Sequence, residues 1–276
     1  MAEVEDLTKV VTLQKRGSVA IITLAREHKL NACTQDIYYR IACLLHEVAA
    51  MDDIYVTVLT AKGRFFSAGA DVSISRGTPE GVDVKAQWLK SFVANNMHTT
   101  HAFYTHPKIL ITALNGPAVG LSAAIVAMSD FVYAAPHTFL LTPFTSLGLV
   151  AEGGASAAFV KRLGISKANE ALIMSKRITC QELVQTGFVN KVFDVGNPKD
   201  SDKFLEAVLK EVDERLGSHL NQDSLLGVKA LIRRQDRDNM DIQGVHEVFA
   251  GLDRFVKGIP QKEFELVASG KKKHKL

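Results

Sequence analysis

An α/β chain that closes in a helical C-terminal region is what the sequence predicts, and three observations predict it. Short β-rich runs alternate with helical spacings up to about Asp194, the order expected of a sheet covered by helices. From Ser201 onward the pattern is nearly all helical, with Phe204, Val208 and Val212 four apart and therefore on one face. Hydrophobic residues make up 47% of the 276, enough for a sizeable core. The natural division is a core over residues 1–200 and a helical region with a basic tail over 201–276.

The elements follow in order. Residues 10–13 and 19–24 flank Lys15-Arg16-Gly17-Ser18 and read as a β-hairpin. Residues 34–51 carry Ile37, Ile41, Leu44, Leu45 and Val48 at helical spacing, with Thr34 as the N-cap. Val56-Thr57-Val58-Leu59 is a buried strand, followed by a loop over 61–71. Pro79 and Gly81 break the pattern and make 77–82 a loop. Residues 85–104 read as one long helix carrying Trp88, Phe92, Val93 and Phe103. A strand over 109–114 runs into Asn115-Gly116-Pro117, and a small-residue helix over 121–128 follows. Residues 131–134 and 138–141 are short strands, and 153–163 is a helix.

Composition narrows the function. Charged residues are 23% and the formal net charge is +3, so nothing calls for a nucleic-acid partner. Lys229, Arg233 and Arg237 lie four apart as a candidate basic face, but Asp236 and Asp238 interrupt it and no stacking aromatics accompany it. Cys33, Cys43 and Cys180 form no CxxC, so a reducing compartment is expected. The longest apolar runs fall well short of the roughly 20 residues of a membrane span. The N-terminus carries Glu3, Glu5 and Asp6 in place of a basic, apolar leader. The other end, Lys271-Lys272-Lys273-His274-Lys275-Leu276, is a basic tail. Its final Lys-Leu partly matches the peroxisomal address, with His274 where a small residue is usual; a solvated charge run is the plainer alternative.

Two glycine-rich segments stand at the ends of predicted strands. One contains Phe66-Ser67-Ala68-Gly69-Ala70-Asp71; the other is Asn115-Gly116-Pro117-Ala118-Val119-Gly120-Leu121-Ser122. Each by itself is a tight turn or a place where a ligand nears the backbone. The second opens a helix, whose free N–H groups suit an anionic oxygen. Neither matches a nucleotide-binding loop. His98 and His101 lack the further ligands a metal site needs. Asp71 suits a backbone cap. Glu152 is a lone carboxylate within Leu147-Gly148-Leu149-Val150-Ala151-Glu152-Gly153-Gly154. Burial there raises a carboxyl pKa and makes a better base; a first-turn helix glutamate is the plainer alternative.

The two segments, in this order and about forty-five residues apart, resemble the paired signature of the crotonase, or enoyl-CoA hydratase/isomerase, superfamily. The resemblance implies a spiral of ββα units with a helical C-terminal part that drives trimer formation. It implies that the backbone N–H groups of Ala70 and Leu121 bind a thioester oxygen. Such donors stabilise an enolate more than the ground-state carbonyl. The positions matching the two hydratase glutamates hold Ala124 and Phe144, which disfavours hydration. The segment around Glu152 is similar to that of the peroxisomal delta-3,delta-2-enoyl-CoA isomerase type, where that glutamate is the base.

The function so implied is conversion of 3-enoyl-CoA to trans-2-enoyl-CoA, with dienoyl-CoA isomerisation, hydration, thioester hydrolysis and a non-catalytic RNA-binding role as alternatives. Coenzyme A is the substrate carrier, and no metal, flavin or nicotinamide is required. The resemblance puts the adenine near Ala68 and Ala70 and makes Arg26, His28 and Lys29, with Lys262 in the C-terminal region, candidates for the phosphates. It also implies a trimer or dimer of trimers in fatty-acid β-oxidation. The tail adds a peroxisomal import receptor as a partner and the peroxisomal matrix as the compartment.

Overall fold

The computed structural model describes residues 5–71, 77 and 81–273. The loop expected over 77–82 falls partly outside these residues, and the C-terminal tripeptide wholly so. A helical turn, α1 (Leu7–Val10), leads into a hairpin of β1 (Val11–Arg16) and β2 (Val19–Leu24). Arg16 pairs with Val19, so the connection is only Gly17-Ser18, shorter than the four-residue turn the sequence suggests. Two-residue connections match the twist of an antiparallel pair, which lets the ladder extend through Lys15 and Arg16. Helix α2 (Gln35–Ala49) is capped as expected, the Thr34 hydroxyl accepting from the Ile37 N–H at 3.2 Å.

Strand β3 (Val56–Ala61) precedes α3 (Val84–Trp88) and α4 (Ala94–Tyr104), which are parts of one long helix. That helix widens at Leu89–Val93, where the Ala94 N–H bonds the Leu89 carbonyl five residues back. The wider turn keeps side chains four apart in line, so Trp88, Phe92 and Asn96 face one cavity. Next come β4 (Ile109–Leu114), β5 (Ala118–Val119), α5 (Leu121–Val126), β6 (Phe131–Ala134) and β7 (Phe139–Leu141). Then α6 (Ala155–Leu163), α7 (Ile165–Leu172), β8 (Ile178–Thr179), α8 (Cys180–Gln185) and β9 (Lys191–Val192) complete the mixed part. Three helices end the chain: α9 (Ser201–Leu216), α10 (Gln222–Val256) and α11 (Ile259–Ala268).

The strands make a six-stranded sheet in the order β1-β2-β3-β4-β6-β9 and a small sheet in the order β5-β7-β8. All pairs of the large sheet after the hairpin are parallel. The chain passes from large sheet to small sheet to helix twice in succession, as β4-β5-α5 and β6-β7-α6. This is the ββα spiral that the resemblance implies.

Strands β2, β3 and β4 are buried along their whole length, as parallel strands covered on both faces must be. Ile22, Leu24, Leu59, Leu110 and Leu114 point into the main core. The alternate residues Ile21, Val58 and Ile111 point to the opposite face, where Phe204, Val208 and Val212 of α9 cover them. That apolar row therefore packs on its own sheet. The second row of the C-terminal region is divided: Val248 and Leu252 are buried, whereas Val245 and Phe249 are exposed.

Helix α10 is fastened by charge. Lys229 and Arg233 both reach Asp130, each at 2.7 Å, and Lys229 also donates to the Lys108 carbonyl. Arg237 faces Asp241 on its own helix. The candidate basic face is thus corrected: Lys229 is 8% exposed and two of its three members are tied to one carboxylate. Burial raises the Asp130 carboxyl, and the two cations outweigh it, leaving it below its ordinary value.

A carboxylate held low stabilises the fold above its unfolded pKa, about 3.9, and loses that contribution as pH falls through the lower folded value. Asp130→Asn is expected to cost about 3–5 kcal/mol at pH 7, because it strands a buried cation. Urea unfolding at pH 7 and again below pH 4 checks this, the gap between parent and variant narrowing in acid. An equal midpoint at pH 7 would refute the anchoring role.

Candidate active site

Because β3 and β4 are parallel neighbours, the segments that leave them emerge on the same edge of the sheet and run side by side. Phe66 N–H and Ser67 N–H both donate to the Pro117 carbonyl, and Val119 N–H returns to Ser67 O at 3.0 Å. The Asn115 side chain adds a bond of 2.6 Å to Gly63 O. Gly69 makes the close approach possible. Its φ is +88°, and a Cβ there would lie 3.0 Å from the Val119 carbonyl oxygen.

This pairing aims the two expected donors. Cys33 N–H bonds Gly69 O at 2.7 Å and Asp71 N–H bonds Cys33 O at 2.9 Å, so the N–H of the intervening Ala70 faces away from Cys33. Leu121 is the first residue of α5, and its N–H has no acceptor within the helix. Ala68, Ala70 and Leu121 all line one cavity of about 400 Å³ together with Glu152.

Behind the cavity wall lies a chain of buried hydroxyls. Tyr38 and Ser122 are 2.8 Å apart, the Ser122 hydroxyl donates to Ser67 Oγ at 2.9 Å, and Gly69 N–H donates to the same oxygen at 3.1 Å. Cys33 Sγ lies 3.6 Å from Ser67 Oγ. Burial pushes the Cys33 thiol up to about 11 and the Tyr38 phenol well above its ordinary value, so both stay neutral and act as structure. The chain joins α2, the 66–71 segment and the start of α5, which fixes the two donor-bearing segments relative to each other.

Glu152 lies ahead of α6 rather than in its first turn, because Gly153 and Gly154 both take left-handed φ, +68° and +72°. A Cβ on Gly153 would meet Leu121 Cδ1 at 2.5 Å and Ala124 Cβ at 3.1 Å. The turn thus lies directly on the helix that carries the Leu121 donor. Asn96 Nδ2 donates to Glu152 Oε2 at 3.0 Å. Asn96 is buried and was not singled out by the sequence; a pair of asparagines in mid-helix, poor helix formers both, is the signal it left. The surroundings of Glu152 are apolar, with Leu121, Phe144 and Leu149 from the core side. Trp88 and Phe92 of the long helix, with Phe255 and Phe264 of α10 and α11, close the cavity; Trp88 and Phe255 stack at 4.3 Å.

Of the carboxylates among the described residues lining this cavity, Asp36 is exposed and Asp71 is ion-paired, which leaves Glu152. Ala124 is fully buried against Gly153, and Phe144 puts its ring on the cavity wall. Neither place offers a proton carrier.

The expected phosphate contacts are rearranged. Arg26 is corrected: it is 8% exposed and grips Asp71 at 2.8 Å, Glu5 at 2.8 Å and the Ala32 carbonyl at 2.9 Å. Its guanidinium braces the 66–71 segment and is occupied by these partners. Asp71, expected as a backbone cap, is the other half of this pair. His28 and Lys29 are exposed on the adjoining turn, joined to Ala68 through its N–H bond to Leu30 O at 2.9 Å. Lys262 is exposed on α11, the helix whose Phe264 and Val267 line the cavity. His98 packs its ring against Tyr39 and His46, and His101 against Tyr104; among the described residues no cluster suits a metal ion. A larger groove of about 790 Å³ lies between α10 and the body, lined by Met128, Phe131, Val228 and Ile232, and contains none of these groups.

The chain is similar to known proteins in sequence and in fold. The family model described as enoyl-CoA hydratase/isomerase matches residues 14–216. A Pyricularia oryzae protein named delta(3,5)-delta(2,4)-dienoyl-CoA isomerase is 58% identical, over 98% of this chain and all of its own. The Saccharomyces cerevisiae 3,2-trans-enoyl-CoA isomerase is 34% identical over 96% of both chains. Among solved structures, an enoyl-CoA hydratase/isomerase from Pseudoalteromonas atlantica superposes with a TM-score of 0.81 at 23% identity, covering 97% of this chain and 100% of the other.

Proposed function

The chain belongs to the enoyl-CoA hydratase/isomerase family, and from that premise we propose that it is an acyl-CoA double-bond isomerase converting 3-enoyl-CoA to trans-2-enoyl-CoA. The observation that carries the reading is the Glu152 carboxylate, held by Asn96 in the cavity beside the two donor-bearing segments. Glu152 takes a proton from the carbon alpha to the thioester of a beta,gamma-unsaturated chain. The electron pair of that C–H bond forms a dienolate with its charge on the thioester oxygen, where the Ala70 and Leu121 N–H groups receive it, and the beta,gamma double bond moves to alpha,beta as the gamma carbon is protonated. The same carboxylic acid returns the proton to the gamma carbon. One preset donor of this kind is worth about 3 kcal/mol in other enzymes. Coenzyme A serves as the handle, its adenine near Ala68 and Ala70 and its phosphates near His28, Lys29 and Lys262.

A second reading rests on the relative that is 58% identical and named a dienoyl-CoA isomerase. That reaction moves the proton farther along the chain, which a second acid assists. Support for the single shift comes from Ala124 and Phe144 and from the occupied state of Asp71. The two reactions are separated by offering 3-enoyl-CoA and 3,5-dienoyl-CoA in turn and identifying products by mass. Faster conversion of the dienoyl thioester would replace the first reading by the second. Glu152→Gln is expected to lower turnover by at least about 10²–10⁴-fold with acyl-CoA binding retained. Near-normal turnover would remove Glu152 from the mechanism.

We also propose assembly into trimers, alone or stacked in pairs. Val228, Leu231 and Ile232 of α10 are 57%, 68% and 57% exposed, and Val245 and Phe249 continue that helix's uncovered apolar surface. Closed rotational symmetry is the usual way to cover such a surface. Sedimentation at micromolar concentration is expected to give a trimer or hexamer, and a monomer would contradict it.

The proposed compartment is the peroxisomal matrix, with β-oxidation as the setting and an import receptor as partner. The support is the terminal Lys-Leu. Lys272, two residues before the final tripeptide, is tied to Glu263 and the Ser146 carbonyl. A fluorescent fusion ending in residues 271–276 is expected in peroxisomes and, without the last three, in the cytosol. Cytosolic signal from the intact tail would refute the address.

A further inference from the structure

The turn that carries Glu152 is held from a distance. Helix α6 has Gly154 at its N-cap and so no side chain of its own to cap it. Its first N–H groups are satisfied by Glu247 of α10: Gly154 N–H donates to Oε2 at 2.7 Å and Ser156 N–H to Oε1 at 2.8 Å. Glu247 is 6% exposed. A carboxylate so buried is costly unless each oxygen is paired, and here each receives one backbone donor at the positive end of a helix. Two more residues of α10 join it. Met240 Cε stands where a Gly154 Cβ would be, at 2.6 Å, and Gln243 Nε2 lies 3.5 Å from Ser156 Oγ. Positions 240, 243 and 247 share one helical face, and that face is set against the turn at 153–156.

The opposite side of the turn is equally constrained. Gly153 N–H points to Asn96 Oδ1 at 3.4 Å, and Asn96 Nδ2 holds Glu152 Oε2. Gly153 itself lies against Leu121 and Ala124. The peptide units on either side of the two glycines are therefore clamped between α4 and α10 and pressed on α5. Glycines at left-handed φ have wide freedom when unsupported, so an external clamp decides where the carboxylate before them stands.

We propose that Glu247 is a positioning residue of the reaction, setting the distance between the Glu152 carboxylate and the donor at Leu121 by capping α6 from α10. The inference rests on Glu152 being the proton carrier. Residue 247 lies beyond the residues matched by the family model, which end at 216, so the family match does not supply this role.

The test compares Glu247→Gln, Glu247→Ala and Glu152→Gln in the full-length protein. Glutamine keeps the volume but has one acceptor oxygen, and its amide group would face an N–H. With 3-enoyl-CoA, kcat is expected to fall by about 10²-fold, the usual effect of an ångström-scale misplacement, and further in the alanine variant. The dissociation constant of a saturated acyl-CoA should change by less than about threefold, since neither donor segment nor cavity wall is touched. A purely structural role would lower the melting temperature and leave kcat per folded molecule, measured well below melting, unchanged; that result overturns the proposal. So does a failure of both Glu247 variants to fold, which would make the residue a folding determinant. Should Glu152→Gln remain active, the proton-carrier reading falls first and is recognised separately. An inactive Glu152→Gln beside fully active Glu247 variants would defeat only the positioning role.

Discussion

The close backbone approach at Gly69 and Val119 is the contact on which the rest depends. Two neighbouring parallel strands deliver their following segments to the same edge of the sheet. Only a residue without Cβ lets those segments touch, since a methyl at position 69 would sit 3.0 Å from a carbonyl oxygen while φ is +88°. Once they touch, alternation does the rest. Bonds from residues 69 and 71 to Cys33 turn the Ala70 N–H the other way, and the start of α5 supplies a second unpaired donor beside it. Two backbone N–H groups, at Ala70 and at the start of α5, are thereby set beside the cavity by the folding of the sheet.

Such a site needs rigidity behind it, because its donors have no side chains to adjust. Arg26 and Asp71, each under a tenth exposed, bind the 66–71 segment to the turn before α2. The Tyr38, Ser122 and Ser67 hydroxyls join it to the start of α5. Each link is buried and polar, an arrangement that is favourable only when every partner is present. This explains why residues that look catalytic, a buried thiol and a buried tyrosine, are neutral scaffolding.

Glu152 is set by different means. Where the donors are fixed by sheet geometry, Glu152 is fixed by two helices distant in sequence. The long helix brings Asn96 to it because a π-turn holds that residue in line with Trp88 and Phe92. Helix α10, anchored at its other end by Asp130, reaches the turn after Glu152 and closes the cavity with Phe255. The C-terminal region thus contributes to the wall of the cavity.

The sequence by itself determined the order of elements, the hairpin, the Thr34 cap, the two loop segments and the isolated carboxylate. All of these are local or periodic, and spacing along the chain reports them directly. Its family resemblance also supplied the ββα spiral. What only the tertiary structure decided were partnerships between residues far apart: Arg26 with Asp71, Lys229 and Arg233 with Asp130, Asn96 with Glu152, and Glu247 with the start of α6. Arg26 looked like a phosphate ligand and Lys229 like part of a basic face because charge at a given spacing does not say whether it meets water or a buried carboxylate. That depends on which helix crosses which strand end, a property of the packed molecule that no window of sequence contains.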